Sequence, residues 1–206
     1  MARKSPALKF RFAVAVAALL VGGGSAFPAG HEAKFQSLKV VADFEEGIDD
    51  WDGTMSNVKK KPLIEAVDDA KVGARAAKIT FYASPEDRKN IDWTLLYCPI
   101  DQWPADGELV SFWIKSTAEK TLLHVKLSEM RGNHNNYEGF QKEIEVSASW
   151  QQLRIPLSEF VYLWGHAKDK MLQKENISNI SFSQADVTKE LTIVVDQIEI
   201  LKESKE

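Results

Sequence analysis

Short runs of alternating apolar and polar residues follow one another along the chain from residue 38 to residue 201. In the first run Leu38, Val40 and Ala42 share one parity, and a period of two is typical of a half-buried β-strand. The same alternation returns at 77–81, 110–114, 123–127, 144–146, 153–157, 180–182 and 191–201. Turn signals separate the runs, at Asp52-Gly53, Val72-Gly73, Asp106-Gly107, 131–133 and Trp164-Gly165. Many short strands divided by turns predict an all-β sandwich or barrel.

Two segments depart from this pattern. The last run changes parity near Asp196, which predicts a β-bulge or a strand buried on both faces. Residues 167–175 read AKDKMLQKE and predict one short helix. The sequence has no internal repeat or low-complexity linker, so we expect a single domain over residues 36–203.

Residues 1–26 have the layout of a secretory signal peptide. Four basic residues precede the apolar run FAVAVAALLV, and the small residues GGGSA follow it. The apolar run is shorter than the roughly 20 residues that span a bilayer, so we expect cleavage after Ala26, or after Ala29 as second choice, and no membrane span afterwards. The sequence therefore predicts a secreted protein, either periplasmic or extracellular.

The charge of the chain argues against a nucleic-acid partner, and its cysteine content excludes an intrachain disulfide. Residues 1–26 hold four of the 26 Lys and Arg residues and none of the 30 Asp and Glu residues, so the mature chain is acidic. Since phosphate-backbone binding needs clustered Lys and Arg, we expect no nucleic-acid partner. Cys98 is the single cysteine, which excludes an intrachain disulfide, and its apolar neighbours predict a buried thiol.

Several short motifs occur in a characteristic order. They are VADFE at 41–45, GARAAKITF at 73–81, PADG at 104–107 leading into LVSFWIK at 109–115, WQQLRIPLSEF at 150–160 and IVVDQIEI at 193–200. This order resembles the galactose-binding-like jelly rolls, specifically the β-sandwich carbohydrate-binding modules of family eleven and related secreted modules, over nearly the whole mature chain. The scaffold is also similar to that of the complex-I intermediate-associated proteins, but their glycine-rich segment after the first tryptophan is missing here.

The resemblance implies a structural calcium ion that ties the first strand to the last. Its candidate ligands are Asp43 and Glu45 on the opening strand and Asp196 on the closing strand. Calcium takes six to eight hard oxygen ligands, and a carboxylate in an apolar strand is costly unless it is paired or bound to metal. The alternative, that Asp196 only accepts backbone or Lys hydrogen bonds at a bulge, stays open.

The resemblance also implies a sugar-binding groove on a concave sheet face, built from rows of aromatic and charged side chains. The candidate residues are Trp93, Tyr97, Trp113, Lys126, Glu129, Arg131 and Tyr137. Trp113 and Lys126 are chosen because they stand opposite the apolar parity of their strands. The alternative is that these rows form an ordinary solvated sheet face.

Catalytic motifs are absent from the sequence. The four His residues are scattered, and no zinc-binding, nucleophile-elbow or phosphate-binding motif is present. We therefore expect a non-catalytic module that binds a polysaccharide or glycan. One alternative is an envelope module that holds another protein, which would need a large apolar patch. A second is a small jelly-roll hydrolase or lyase, which would need two carboxylates or a metal converging in one cleft.

Overall fold

The computed structural model describes residues 34–48, 50–56, 60–84, 93–132, 137–166 and 168–204, with the backbone alone at Ser56 and Trp93. All described residues belong to one compact unit. The signal peptide predicted at 1–26 lies outside the described residues. Within the described residues, no helix is long and apolar enough to cross a membrane.

Twelve β-strands and two short 3₁₀ helices make up the regular structure of the described residues. The strands are β1 (Phe35–Ala42), β2 (Asp52–Ser56), β3 (Leu63–Val67), β4 (Ala76–Phe81), β5 (Trp93–Pro99), β6 (Leu109–Ser116), β7 (Lys120–Met130), β8 (Tyr137–Ser147), β9 (Gln151–Pro156), β10 (Val161–Trp164), β11 (Ile177–Gln184) and β12 (Leu191–Glu203). The 3₁₀ helices are Leu157–Glu159 and Lys174–Asn176.

The strands form two antiparallel sheets that pack face to face. Sheet A has the order β3-β4-β12-β6-β9, with β1 paired to β12, and sheet B has the order β10-β8-β7-β11-β5-β2. The core lies between them and is centred on Phe182, whose ring stacks near Trp51 at 6.2 Å and meets the edge of Phe112 at 5.3 Å. All three side chains are buried. The prediction of an all-β jelly-roll sandwich is confirmed.

The predicted bulge in the last strand is present. The pairing of β12 with β6 shifts register between Asp196 and Glu199, and Gln197 has a φ of 47°. On its other edge, β12 pairs with β4 before the bulge and with β1 after it. The bulge therefore lies where β12, a strand of 13 residues, changes partners.

In place of the short helix expected at 167–175, the described residues form an irregular loop that ends in the 3₁₀ turn at 174–176. Backbone amides of this loop bind carboxylates rather than helical carbonyls: Met171 N donates to Asp169, and Gln173 N donates to Glu129. Lys170 has a φ of 50°, which a right-handed helix does not allow. One side-chain acceptor inside the segment, Asp169, and one outside it, Glu129, thus override its helical propensity.

Candidate functional site

A row of aligned side chains crosses the outer face of sheet B. On each strand alternate residues face the core, so the residues between them face outward. Strand register places one outward residue of every strand side by side. In strand order from β10 to β2 these are Val161, Gln141, Lys126, Ser181, Tyr97 and Asp52. We call this set the central row.

Burial and charge perturb the titratable groups of the central row and its neighbour. Burial lowers the pKa of Lys126. Burial raises the pKa of Tyr97, and Asp52, whose Oδ2 lies 3.4 Å from the phenol oxygen, raises it further. Burial and then Lys126 lower the pKa of His124, whose Nε2 lies 3.3 Å from Glu143 Oε2. Lys126 therefore lies half-buried among hydrogen-bonding groups on this face.

The floor of the face is also polar. Ser181 and Ser183 lie on β11 beside Lys126 and His124, and each is only 2% exposed. The Ser183 hydroxyl has no hydrogen-bond partner among the described residues. Buried polar atoms are normally paired, so this unpaired hydroxyl is an exception within the sheet.

A second row runs parallel to the central row and carries an exposed tryptophan. Trp164 of β10 pairs with Gly139 of β8, and Ser128 and Asn179 follow on β7 and β11. Trp164 is 46% exposed. In the sequence, Trp164-Gly165 is only a turn signal. Strict alternation with Tyr162, which packs against the core, would direct Trp164 inward. A register shift between these two residues places it on the outer face instead.

Three of the seven predicted sugar-binding residues lie on the outer face of sheet B. Tyr97 and Lys126 belong to the central row, and Tyr137 begins β8, pairs with Met130 and is 42% exposed. Trp93 is the first residue of β5, and its backbone pairs with Ser56.

Trp113 is not brought together with these residues. It lies on β6 in sheet A, where it pairs with Asp196 and Gln152. The connection at residues 117–119 carries the chain from sheet A to sheet B. The outward parities of β6 and β7 therefore face opposite sides of the sandwich. Lys71 Nζ lies 4.8 Å from the centre of the Trp113 ring.

Glu129 and Arg131 hold the loop after β10 rather than line the outer face. Glu129 has core parity and is fully buried, and it accepts hydrogen bonds from Arg131 Nε at 2.6 Å and from Gln173 N. The Arg131 guanidinium also donates to both oxygens of Asp169, at 3.1 and 3.2 Å, and to Met171 O at 2.6 Å. Each of these donors is used within the protein, so the pair has a structural role.

The two carboxylates closest to one another in sheet register are also used structurally. Glu129 pairs with Glu138 of β8, and both are buried. Glu138 Oε1 accepts from His166 N at 3.0 Å. Two clefts of about 490 and 460 Å³ lie elsewhere. Glu129 and Glu138 therefore line neither of these clefts.

Asp196 and Glu45 are held by one loop. Asp196 Oδ2 accepts from Lys71 N and Val72 N, both at 2.7 Å. Glu45 Oε1 accepts from Ala74 N at 2.8 Å and from Arg75 N at 3.0 Å. Strands β1 and β12, which carry the chain to these residues, are themselves paired. Loop 71–75 thus contacts both Asp196 of β12 and Glu45, which lies in the turn after β1 rather than on the opening strand itself.

The Asp196 carboxylate is buried but only partly hydrogen-bonded. It is fully buried, and its Oδ1 has no partner among the described residues. Burial raises the pKa of Asp196; the amides of Val72, Lys71 and Gln197 oppose this, and the charge of Glu45 adds to it.

Backbone strain surrounds the same region. Phe44, beside Glu45, has a φ of 62°, and Gln197, beside Asp196, has a φ of 47°. Non-glycine residues in the left-handed region cost energy and concentrate at functional sites. Asp43 Oδ1 instead accepts from Glu45 N at 3.3 Å, within its own turn. Among the residues that the structure describes, no group of three or more His, Cys, Asp or Glu side chains is arranged to hold a metal.

The described residues thus form a two-sheet β-sandwich with a polar row across one outer face. Residues 48–202 match the family described as carbohydrate binding domain 30, and the chain belongs to this family. A comparison with curated proteins finds no match.

Several solved structures with the same fold are carbohydrate-binding modules. A family 11 module from Clostridium thermocellum, in complex with a β-1,3-1,4-mixed-linked tetrasaccharide, superposes with a TM-score of 0.69 at 19% identity, covering 81% of this chain and 97% of that one. The family 11 module of a cellulosomal cellulase of Clostridium thermocellum gives 0.67 at 20% identity, covering 85% and 98%. A family 30 module gives 0.56 at 8% identity, covering 83% and 99%. At these identities the likeness establishes the fold.

Proposed function

We propose that this protein is a secreted, non-catalytic module that binds a polysaccharide or glycan on the outer face of sheet B. The observation that carries the proposal is the central row, which aligns an amide, an ammonium, a hydroxyl, a phenol and a carboxylate across five adjacent strands. Sugars present many hydroxyl groups, each a donor and an acceptor, and such a row offers both kinds of partner. Since these groups lie on rigid strands, little ordering is needed on binding.

A β-linked glucan is the first ligand to test. The similar family 11 module was solved with a β-1,3-1,4-mixed-linked tetrasaccharide. Lys126 lies between the neutral residues Gln141 and Ser181 in strand register, and its ammonium would donate to ligand oxygens. The proposal assigns hydrogen bonding to Lys126, Gln141 and Tyr97, while Trp93 stays a predicted contact.

Secretion and a structural calcium ion complete the proposal. Export is supported by the signal-peptide layout of residues 1–26. Glu45 and Asp196 would hold the calcium ion, because carboxylates and backbone carbonyls are its preferred ligands and Asp196 Oδ1 lacks a partner among the described residues. The ion would neutralise two neighbouring carboxylates and fix β1 against β12. Asp43 stays a predicted ligand.

Neither alternative function is favoured by a specific observation. The buried carboxylates Glu129 and Glu138 bind backbone amides, which gives no support to a hydrolase or lyase. The related modules give no support to an envelope protein as partner.

Affinity electrophoresis of the purified protein tests the proposal. Gels would contain soluble mixed-linked β-glucan, xyloglucan, xylan or no polysaccharide. We expect retardation by at least one glycan, and we expect Lys126→Ala to reduce it because the central donor of the row is lost. Lys115→Ala on sheet A is the matched control and leaves the retardation unchanged. Absence of retardation in every gel would overturn the proposal.

A further inference from the structure

Trp164 lies flat against the outer face of sheet B. A Cβ atom built on Gly139 would lie 2.2 Å from the indole Nε1, 2.5 Å from Cε2 and 2.7 Å from Cδ1. These three atoms belong to the pyrrole ring and lie at similar distances, so the face of the ring, rather than its edge, covers Gly139. With 46% of the residue exposed, the opposite ring face is open to solvent.

Neighbouring residues of β8 hold this arrangement from below. Gly139 lies under the indole, and any side chain there would displace it. The adjacent Glu138 lies under Gly165, where a Cβ atom would come within 1.9 Å of Oε2, and its Oε1 accepts from His166 N. Gly165 has a φ of 132°, a conformation that a side chain disfavours. Gly139 therefore packs against the indole of Trp164, and Glu138 packs against Gly165.

We propose that Trp164 is a stacking platform for one pyranose ring of the bound glycan and that Gly139 is the positioning residue that keeps its indole flat. This inference rests on the proposed function. A pyranose has an apolar C–H face that matches an exposed indole face, while its rim carries hydroxyls. Ser128 and Asn179, next in the same row, offer those hydroxyls hydrogen-bonding partners. Large, rigid aromatic side chains of this kind dominate binding energies.

The position of the platform also sets the size of the ligand. The indole covers β8, and Tyr97 lies on β5, three strands away. At a strand spacing of about 4.8 Å the two aromatic groups are about 14 Å apart across the sheet. A single monosaccharide cannot reach both, so the site fits an oligosaccharide segment of a chain.

The test is a double-mutant cycle with the glycan that retards the wild-type protein most strongly. Trp164→Ala should weaken binding about tenfold or more, as truncation of an aromatic anchor does. Gly139→Ala should weaken it because the methyl group displaces the indole, yet on the Trp164→Ala background it should cause no further loss. Trp113→Ala on sheet A is the matched control and should leave affinity unchanged. Melting temperatures verify that each variant is folded.

A second measurement needs no truncation. In a nitrogen–proton correlation spectrum, the indole N–H signal of Trp164, assigned by its absence in Trp164→Phe, should shift on titration with the oligosaccharide, and that of Trp113 should not. The inference is wrong, and the proposed function stands, under three joint results. Trp164→Ala binds like wild type, the Trp164 indole signal of the wild-type protein stays static on titration, and Lys126→Ala binds poorly. If the wild-type protein binds no glycan, both fail together.

Discussion

Removing the charge of Asp196 tests both the calcium proposal and the effect of burying this carboxylate on the stability of the protein. In the metal-free protein the buried carboxylate has two amide donors and one oxygen without a described partner, and its pKa is raised by burial. The folded protein thus binds this proton more tightly than the unfolded chain. Stability from this group is fully present below the unfolded pKa of about 3.9 and is lost as pH rises through the folded pKa.

The size of each effect follows from linkage. Every tenfold difference in proton affinity between the folded and unfolded states corresponds to about 1.4 kcal/mol of stability. A calcium ion at one hundred times its dissociation constant would add about 2.7 kcal/mol. For a domain of this size each kcal/mol raises the melting temperature by about 2–4 °C, so we expect calcium to raise it by about 5–11 °C.

The assay is calorimetric unfolding in a chelator, in calcium and in magnesium, from acidic to neutral pH. We expect Asp196→Asn to abolish the calcium-dependent rise and to flatten the decline in stability that the chelated wild type shows as pH increases. Asp106→Asn, which removes an exposed carboxylate 3.7 Å from Lys202, is the matched control. Equal melting temperatures in chelator and calcium would refute the calcium site. A retained calcium response in Asp196→Asn would refute its location.

Three further predictions concern the core, the outer face and the thiol. Phe182→Ala should cost about 3–5 kcal/mol in urea unfolding, because a fully buried ring in contact with Trp51 and Phe112 is replaced by a cavity; a loss under about 1 kcal/mol would contradict this packing. Burial lowers the pKa of His124, so the stability it contributes is present above the unfolded pKa of about 6.5 and is lost as pH falls through the folded pKa. His124→Gln should therefore make the melting temperature less sensitive to acid. An unchanged pH profile of the melting temperature would contradict this. Burial raises the pKa of Cys98 to about 11, so a thiol reagent at neutral pH should label it only after unfolding, and rapid native labelling would contradict its burial.

The fold could be predicted because the alternation of apolar and polar residues is local information. Even the bulge at Asp196 is visible in the sequence, since one inserted residue reverses the parity of every residue after it. The helix expected at 167–175 fails for the opposite reason. The backbone amide of Gln173 donates to Glu129, a residue 44 positions earlier, and no local pattern carries that contact.

The candidate site was only partly predictable, because parity along one strand does not say which sheet the strand joins. Trp113 and Lys126 both lie opposite the apolar parity of their strands, yet they lie on different sheets. Glu129 shares its parity with Leu127 and is buried with it. The outward position of Trp164 could not be predicted from the sequence, because it results from a register shift within the four-residue strand β10. A glycine opposite an exposed aromatic is a signal that only the strand pairing reveals.

The most direct test of the central claim is to map glycan binding onto the two sheets by nuclear magnetic resonance. The purified protein would be titrated with a mixed-linked β-glucan oligosaccharide, or with fragments of whichever glycan retards it in gels. The account predicts that amide shifts concentrate on the central row, at Gln141, Lys126, Ser181 and Tyr97, and leave Ser111 and Trp113 of sheet A unchanged. Shifts confined to sheet A, or no saturable shifts with any glycan tested, would contradict it.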